Sequence, residues 1–300
     1  MVVLMSDLTI HPDIRLFNPY PGIYTIWPYS DGIKNYRSPV GQARLITELM
    51  PKIQAELGIK TVVWDTVTGT CDSMIYELAT SQINKDSSTK VYQIGTVDDD
   101  FMFRTPGTNW RDNGMAQRDA LFIRDRLLSM PINLILIGHQ GTKQVGPENN
   151  KKAVAHGFKA SGPATVEEYG KELPICIRVG VSPKKDAGRY VLTDQAPDET
   201  GTPYLCRVKG SGEPLPVAIG INGWDGSLAA AQAICAFNKS SLKQVALWGL
   251  QGAGKTAFAS AMCALPGMAP VLVVAADAGE HEVPSWWAQA KAAIEAQVSQ

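Results

Sequence analysis

The sequence has almost no net charge, no long apolar run and no paired cysteine motif. Its 28 Lys and Arg nearly balance its 29 Asp and Glu, so a globally basic, histone-like nucleic-acid binder is excluded. No stretch approaches the ~20 apolar residues of a membrane helix, and residues 1–9 lack the basic start of a signal peptide. The five cysteines are widely spaced and form no CxxC pair. We therefore expect a soluble, cytoplasmic protein with reduced thiols, no structural zinc and no membrane partner.

The first half of the chain alternates between helix-like and strand-like patterns. Apolar residues recur at helical spacing over 43–57 and again over 116–129. Residues 61–65 and 133–140 are instead continuous apolar runs that end in polar side chains, as strands buried on both faces do. This alternation predicts an α/β fold of three layers with a mostly parallel sheet. We expect a single domain over residues 1–300.

The second half adds shorter elements. Strand candidates at 175–179, 190–192 and 204–208 are separated by turn residues, which predicts antiparallel additions to the sheet edge. Residues 141–162 mix four lysines with glycines and asparagines, which predicts a long mobile loop. The remaining predicted elements are strands over 2–5, 24–27, 244–248 and 271–275 and helices over 228–237 and 255–265.

The most specific chemical motif is Gly-Leu-Gln-Gly-Ala-Gly-Lys-Thr at residues 249–256, between an apolar strand and a helix. A loop that wraps a phosphate turns its backbone N–H groups inward, which residues without Cβ permit, and the next helix adds its N-terminal dipole. The motif predicts that Lys255 reaches the β- and γ-phosphates of ATP and that Thr256 binds Mg²⁺. The predicted nucleotide contacts are Gly249, Gly252, Ala253, Gly254, Lys255, Thr256 and Ala257.

Polar residues at the ends of two buried strands are the next candidates. Asp65 is predicted to organise Mg²⁺ through water or the P-loop threonine, the alternative being a cap of a turn or helix. Thr66 and Thr68 either contact metal-bound water or close the turn. His139 and Gln140 end the second strand, where a polar side chain can bind nucleotide and sense the γ-phosphate, unless they only begin a solvent loop.

A general base for hydrolysis would be a carboxylate that orients water against the γ-phosphate. The sequence offers Asp7 after the first strand candidate, and Asp277 and Glu280 after the last. Nothing in the local pattern selects among these three.

The sequence resembles the RecA-type ATPases, most closely the small phage-encoded members that act in single-strand annealing and recombination. The resemblance rests on residues 245–257 as Walker A, 61–68 as Walker B and 134–140 as the sensor strand. In that family Walker A precedes Walker B, whereas here it follows by about 180 residues, as in a circular permutation. Joining the end to the beginning restores the order. Either 2–7 or 271–277 would then be the strand that follows the Walker A helix.

The resemblance implies a RecA-like core in permuted order. Walker B and the sensor lie in residues 1–140, loop and edge strands in 141–235, and Walker A in 236–300. The implied activity is Mg-ATP hydrolysis coupled to single-stranded DNA in phage recombination or annealing, in the cytoplasm of a bacterial host. The implied catalytic set is Lys255 and Asp65 with Glu280 as the strand-end acid.

The implied partners are single-stranded DNA and further copies of the chain. DNA is expected at the loop 141–162, where the alternative is a solvated loop with no ligand. The lysines of this loop are Lys143, Lys151, Lys152 and Lys159. In a homo-oligomer, a neighbour would complete each ATP site with a basic residue, for which the candidates are Arg207, Lys209, Lys184 and Lys185.

Two rival functions use the same P-loop. A nucleotide-dependent regulatory or assembly module would bind ATP without DNA-stimulated turnover. A small-molecule kinase would need an arginine-bearing lid over the phosphates, and the sequence has no arginine-rich segment of that kind.

Overall fold

The computed structural model describes residues 16–26, 39–72, 110–147, 150–160, 166, 170, 172–182, 188–275 and 285–300. Thirteen strands within these residues form one sheet. The strands are β1 Leu16–Tyr20, β2 Ile23–Ile26, β3 Thr61–Asp65, β4 Asn133–Val145, β5 Lys152–Lys159, β6 Ile175–Val181, β7 Arg189–Leu192, β8 Ala196–Pro197, β9 Pro203–Tyr204, β10 Arg207–Val208, β11 Ala218–Gly220, β12 Gln244–Gly249 and β13 Val271–Ala275. The helices with defined bounds are α1 Pro39–Leu57, α2 Trp110–Leu128, α3 Gly223–Phe237, α4 Lys255–Cys263 and α5 Ser285–Val298.

The centre of the sheet is parallel and its margins are antiparallel. Strands β2, β13, β3, β4, β12 and β6 lie side by side in that order, and each neighbouring pair is parallel. Strand β1 pairs antiparallel with β2, while β7 and β11 extend the other margin antiparallel. The predicted α/β fold with a mostly parallel sheet is therefore confirmed.

Alternating side chains of the central strands divide the core into two layers. Leu134 and Leu136 of β4 pack in one apolar cluster, whereas Ile135 and Ile137 pack in the other. This follows from the two-residue period of a strand, which sends successive side chains to opposite faces. Helices α1 and α2 supply the first cluster, and α3, α4 and α5 supply the second. Helices thus cover both faces, which is the expected three-layer arrangement.

The strand that follows α4 in the sequence is an interior strand of the sheet. β13 pairs with β2 on one side and with β3 on the other. Residues 271–275 therefore occupy the position for which residues 2–7 were the alternative, and residues 2–7 lie outside the described part of the chain. Helix α5 then packs by the β1–β2 turn, where Lys291 Nζ lies 5.1 Å from the ring centroid of Tyr20.

Two sequence-based predictions about this region of the sheet are wrong. β6 is a parallel neighbour of β12, not an antiparallel edge strand, because its side chains are buried on both faces from Ile175 to Gly180. The described residues 141–147 and 150–160 are not a mobile loop, since β4 runs on to Val145 and β5 returns antiparallel beside it. The glycines there suggested a loop, yet Gly141 and Gly157 face each other within the hairpin.

These two glycines leave room for Val166, which packs against the hairpin. A methyl group on Gly141 would lie 2.7 Å from Cγ2 of Val166, and one on Gly157 would lie 2.7 Å from the Val166 carbonyl oxygen.

No described helix combines the length and hydropathy of a membrane span.

We predict that Gly22→Ala destabilises the fold more than Gly58→Ala. Both glycines have positive φ, at +76° and +63°, so each alanine should cost ~1–2 kcal/mol in backbone strain. At Gly22 the new methyl would also lie 2.6 Å from Cγ2 of Val298 in α5, which should add about 1–3 kcal/mol, whereas nothing lies within 4 Å at Gly58. Urea unfolding would measure the difference. Equal losses for the two variants would contradict this packing.

Candidate P-loop site

The glycine-rich turn joins β12 to α4 at the carboxyl edge of the parallel strands. Gly252 and Gly254 have φ values of +74° and +94°, a region that glycine enters without steric cost. Gly249 lies so close to the Val179 carbonyl of β6 that a side chain would collide with it. The glycines of the motif thus stand where the backbone conformation or the close packing of this turn requires glycine.

Lys255 is the first residue of α4 and is 7% exposed. Its Nζ donates hydrogen bonds to the carbonyl oxygens of Leu250, at 2.9 Å, and Gly249, at 3.4 Å. The ammonium group is therefore held inside the curve of its own loop, beside the N-terminus of the helix. Anions bind at such helix ends because backbone N–H groups and the helix dipole point toward them.

The other predicted nucleotide contacts surround this lysine. Ala253 is buried, and Gly254, Thr256 and Ala257 are half-buried, while Gly252 is exposed. Thr256 follows Lys255 within the first turn of α4. A nucleotide with its phosphates against the loop would therefore meet both backbone N–H groups and the threonine hydroxyl.

Asp65 lies at the same edge of the sheet as the P-loop. It is 5% exposed and ends β3, and its register partner in β4 is Ile137. Ile137 pairs in turn with Leu247 of β12. Two strand spacings, roughly 10 Å, therefore separate the Asp65 backbone from the strand that leads into the P-loop.

The threonines that follow Asp65 bond to the protein. Thr66 Oγ1 accepts a hydrogen bond from Gly69 N at 2.9 Å and so caps the turn. Thr68 Oγ1 accepts from His139 N at 2.8 Å and donates to the Lys159 carbonyl. These contacts agree with the alternative that the two threonines close the turn. In addition, Thr68 joins the end of β3 to both strands of the β4–β5 hairpin.

Gln140, in β4 just past the end of its pairing with β12, bonds to a buried arginine. Arg178 of β6 is 5% exposed, and its Nε donates to Gln140 Oε1 at 3.0 Å. Its Nη1 donates to the Tyr190 hydroxyl at 2.8 Å, and its guanidinium carbon lies 4.1 Å from the Tyr204 ring centroid. Burial raises the pKa of Tyr204, while the charge of Arg178 acts in the opposite direction. Gln140 does not simply begin a solvent loop.

The arginine contacts continue into the hairpin through His156 of β5. The His156 and Tyr204 ring centroids are 5.2 Å apart. The His156 ring nitrogens lie 2.9 Å from Thr142 Oγ1 and 2.9 Å from Asp198 Oδ2. Hydrogen bonds from Thr200, and then from His156 and backbone N–H groups, hold the pKa of Asp198 well below its usual range, although desolvation opposes them. Contacts between side chains thus connect Gln140 with Arg178, Tyr204 and His156, and so link β6 to the hairpin.

The hairpin projects beyond the strand ends and carries the predicted DNA-contacting lysines. Residues 140–145 extend β4 by roughly 20 Å past its pairing with β12. Lys151 and Lys152 are exposed near the turn, beside Val145 and Val154, which are 53% and 38% exposed. Lys143 is half-buried, and Lys159 Nζ lies 3.7 Å from Asp72 Oδ2.

Mg²⁺ at this edge of the sheet would be bound largely by water and phosphate. Within the described ranges, no group of three or more His, Cys, Asp and Glu side chains converges as a metal cage. Mg²⁺ keeps several waters and takes only one or two protein ligands beside substrate phosphates. Asp65 and Thr256 could supply these ligands from β3 and α4. Burial raises the pKa of the Cys176 and Cys235 thiols to about 11.

Several candidate residues fall outside the described part of the chain. These are Asp7, Asp277, Glu280, Lys184 and Lys185. Of the other basic candidates for a neighbour's site, Lys209 is exposed. Arg207 is held within its own chain, since Nη2 donates to the carbonyls of Gly170, at 3.0 Å, and Leu173, at 3.4 Å.

Sequence reasoning missed two arginines near the P-loop. Arg178 sits in an apolar run, where a charged residue in a strand buried on both faces is itself a signal. Arg189 begins β7, and its side chain lies against Gly254. No local pattern marks Arg189, because 65 residues separate it in sequence from the glycine that it contacts.

We predict that Thr68→Val loosens the junction between β3 and the hairpin. Valine keeps the shape but leaves the His139 N–H and the Lys159 carbonyl without their hydroxyl partner, which should cost ~1–3 kcal/mol. Hydrogen exchange at the His139 amide would become faster. Thr68→Ser is the matched control, because it retains the hydroxyl and should keep that amide protected. Unchanged exchange in Thr68→Val would show that these hydrogen bonds do not hold the junction.

No protein-family model matches the chain, and no match was found among curated proteins or solved structures.

Proposed function

We propose that this protein is a RecA-type P-loop ATPase whose hydrolysis of Mg-ATP responds to single-stranded DNA. The observation that carries the proposal is the joint placement of Lys255 and Asp65. Strands far apart in sequence bring the P-loop and this buried carboxylate to one edge, with only β4 between them. Open α/β sheets bind ligands at this edge, outside the carboxyl ends of the strands.

Each residue of the site would have a separate role in phosphoryl transfer. Lys255 would neutralise the β- and γ-phosphates, and the backbone of residues 249–254 would hold them in place. Thr256 and Asp65 would hold Mg²⁺, directly or through water, and the ion would offset charge that develops on the phosphate oxygens. Glu280 remains our prediction for the residue that orients the attacking water.

The β4–β5 hairpin supports the DNA part of the proposal. It begins at the strand end that carries Gln140 and projects exposed lysines and valines away from the sheet. Lysine ammonium groups bind the phosphates of a nucleic acid without reading its sequence. Thr68 and the Arg178 contacts give the nucleotide edge a physical connection to this hairpin.

We expect ATP hydrolysis to require Lys255 and to rise with single-stranded DNA. Lys255→Ala should lower kcat/KM by about 100-fold or more, since it removes a charge that acts on the reacting phosphate. Lys239→Ala is the matched control, because Lys239 is exposed after α3 and before β12, at the opposite edge. Phosphate release would be measured with and without DNA. ATP binding with no DNA-responsive turnover would instead favour a regulatory module.

The exposed lysines of the hairpin should set the salt dependence of DNA binding. Lys151→Gln combined with Lys152→Gln should reduce the slope of log affinity against log salt by about 1.4, at ~0.7 for each DNA phosphate that the protein no longer neutralises. Fluorescence anisotropy with labelled oligonucleotides between 50 and 200 mM salt, roughly the useful range, would measure it. Lys52→Gln combined with Lys239→Gln removes the same charge elsewhere and should leave the slope unchanged. Equal effects of the two pairs would argue against the hairpin as the DNA site.

A further inference from the structure

Arg189 is held at the nucleotide edge by its backbone. It begins β7 and pairs with Val181 at the end of β6, the parallel neighbour of β12. Its N–H donates to Asn222 Oδ1 at 2.9 Å, and its carbonyl accepts from Ile221 N at 2.9 Å. The position next to the P-loop is therefore built by three separate segments of the chain.

The Arg189 side chain lies over the last glycine of the P-loop. A methyl group built on Gly254 would lie 3.2 Å from Arg189 Cδ, 3.3 Å from Nε and 3.7 Å from Cζ. The side chain is exposed, and among the described residues its guanidinium makes no hydrogen bond or ion pair. Within the described part of the chain, the side chain makes no polar contact that would explain its placement by stability alone.

Positively charged groups lie close together at this point. Arg189 lies beside the residue that precedes Lys255, and both flank the N-terminus of α4, which carries a positive partial charge. Like charges at such short range repel one another. An anion between them would remove this repulsion, and a guanidinium binds two phosphate oxygens at once.

The sheet order shows which part of a bound nucleotide Arg189 can reach. Asp65 is on β3, two strands from β12 on one side, whereas Arg189 is on β7, two strands away on the other. The metal and the reacting γ-phosphate would lie toward Asp65. Arg189 therefore approaches the phosphates from the opposite side.

We propose that Arg189 binds the α- or β-phosphate of the nucleotide held by the P-loop of its own chain. This inference rests on the proposed ATPase function. It makes Arg189 a determinant of affinity for nucleotides in general, because ADP and ATP share these phosphates. It also distinguishes Arg189 from a residue that a neighbouring subunit would insert to act on the γ-phosphate.

The affinity of Arg189→Ala for Mg-ADP and Mg-ATP tests the proposal. Loss of a charged hydrogen bond should raise both dissociation constants about 10- to 100-fold, and by similar factors, while kcat at saturating ATP stays within about 2-fold. Arg189→Lys should lie between, because it keeps the charge but not the bidentate geometry. Arg126→Ala is the matched control: Arg126 is exposed in the last turn of α2, which leads into β4 from the opposite edge of the sheet. Titration calorimetry would provide the constants.

The outcomes separate this inference from the ATPase proposal. If wild-type protein binds ADP and Lys255→Ala does not, the P-loop assignment stands. Wild-type ADP affinity in Arg189→Ala would then overturn the role of Arg189 alone, as would a loss for ATP without one for ADP. Absence of nucleotide binding by the wild type would overturn both. At subsaturating ATP, where Arg189→Ala should hydrolyse slowly, adding Lys255→Ala chains should not raise the rate, and a rise would place Arg189 in a neighbour's site.

Discussion

Parallel pairing of β12 with β4 on one side and β6 on the other is the constraint on which the rest of the molecule depends. These strands are hydrogen-bonded along both edges and buried on both faces, so their direction and register have little freedom. All their carboxyl ends consequently open at one edge. The P-loop, Gln140 and the end of β6 meet there because the direction of the strands fixes where each of them ends.

The same constraint explains how polar groups come to lie in an apolar sheet. Arg178 pairs in register with Trp248 near the end of β6, where the buried strands give way to the site. Its charge is offset by the Gln140 amide oxygen, the Tyr190 hydroxyl and the Tyr204 ring. A buried guanidinium is costly unless it is hydrogen-bonded in this way. The resulting cluster joins four strands, β4, β6, β7 and β9, at the carboxyl edge of the sheet.

The extension of β4 into the hairpin joins two parts that could otherwise move independently. One continuous strand contributes to the centre of the sheet and to the lysine-bearing projection. Phe158 of β5 packs on Gly138, where a methyl group would lie 2.5 Å from its Cζ. A displacement at the end of β4 would therefore also displace the hairpin, through backbone and packing. This continuity is the physical basis for linking nucleotide and DNA in our proposal.

The local sequence pattern was sufficient to predict those elements whose conformation depends on residues close together in the sequence. Residues 61–65, the glycines of the P-loop and the apolar periods of α1, α2 and α4 follow from period and backbone freedom alone, and the structure confirms those elements. Sequence could not decide that β6 is a central strand, that β4 and β5 form a hairpin, or that Arg189 lies on Gly254. Each of these depends on which distant strand becomes a neighbour, and that choice is made by burial and pairing across the whole sheet.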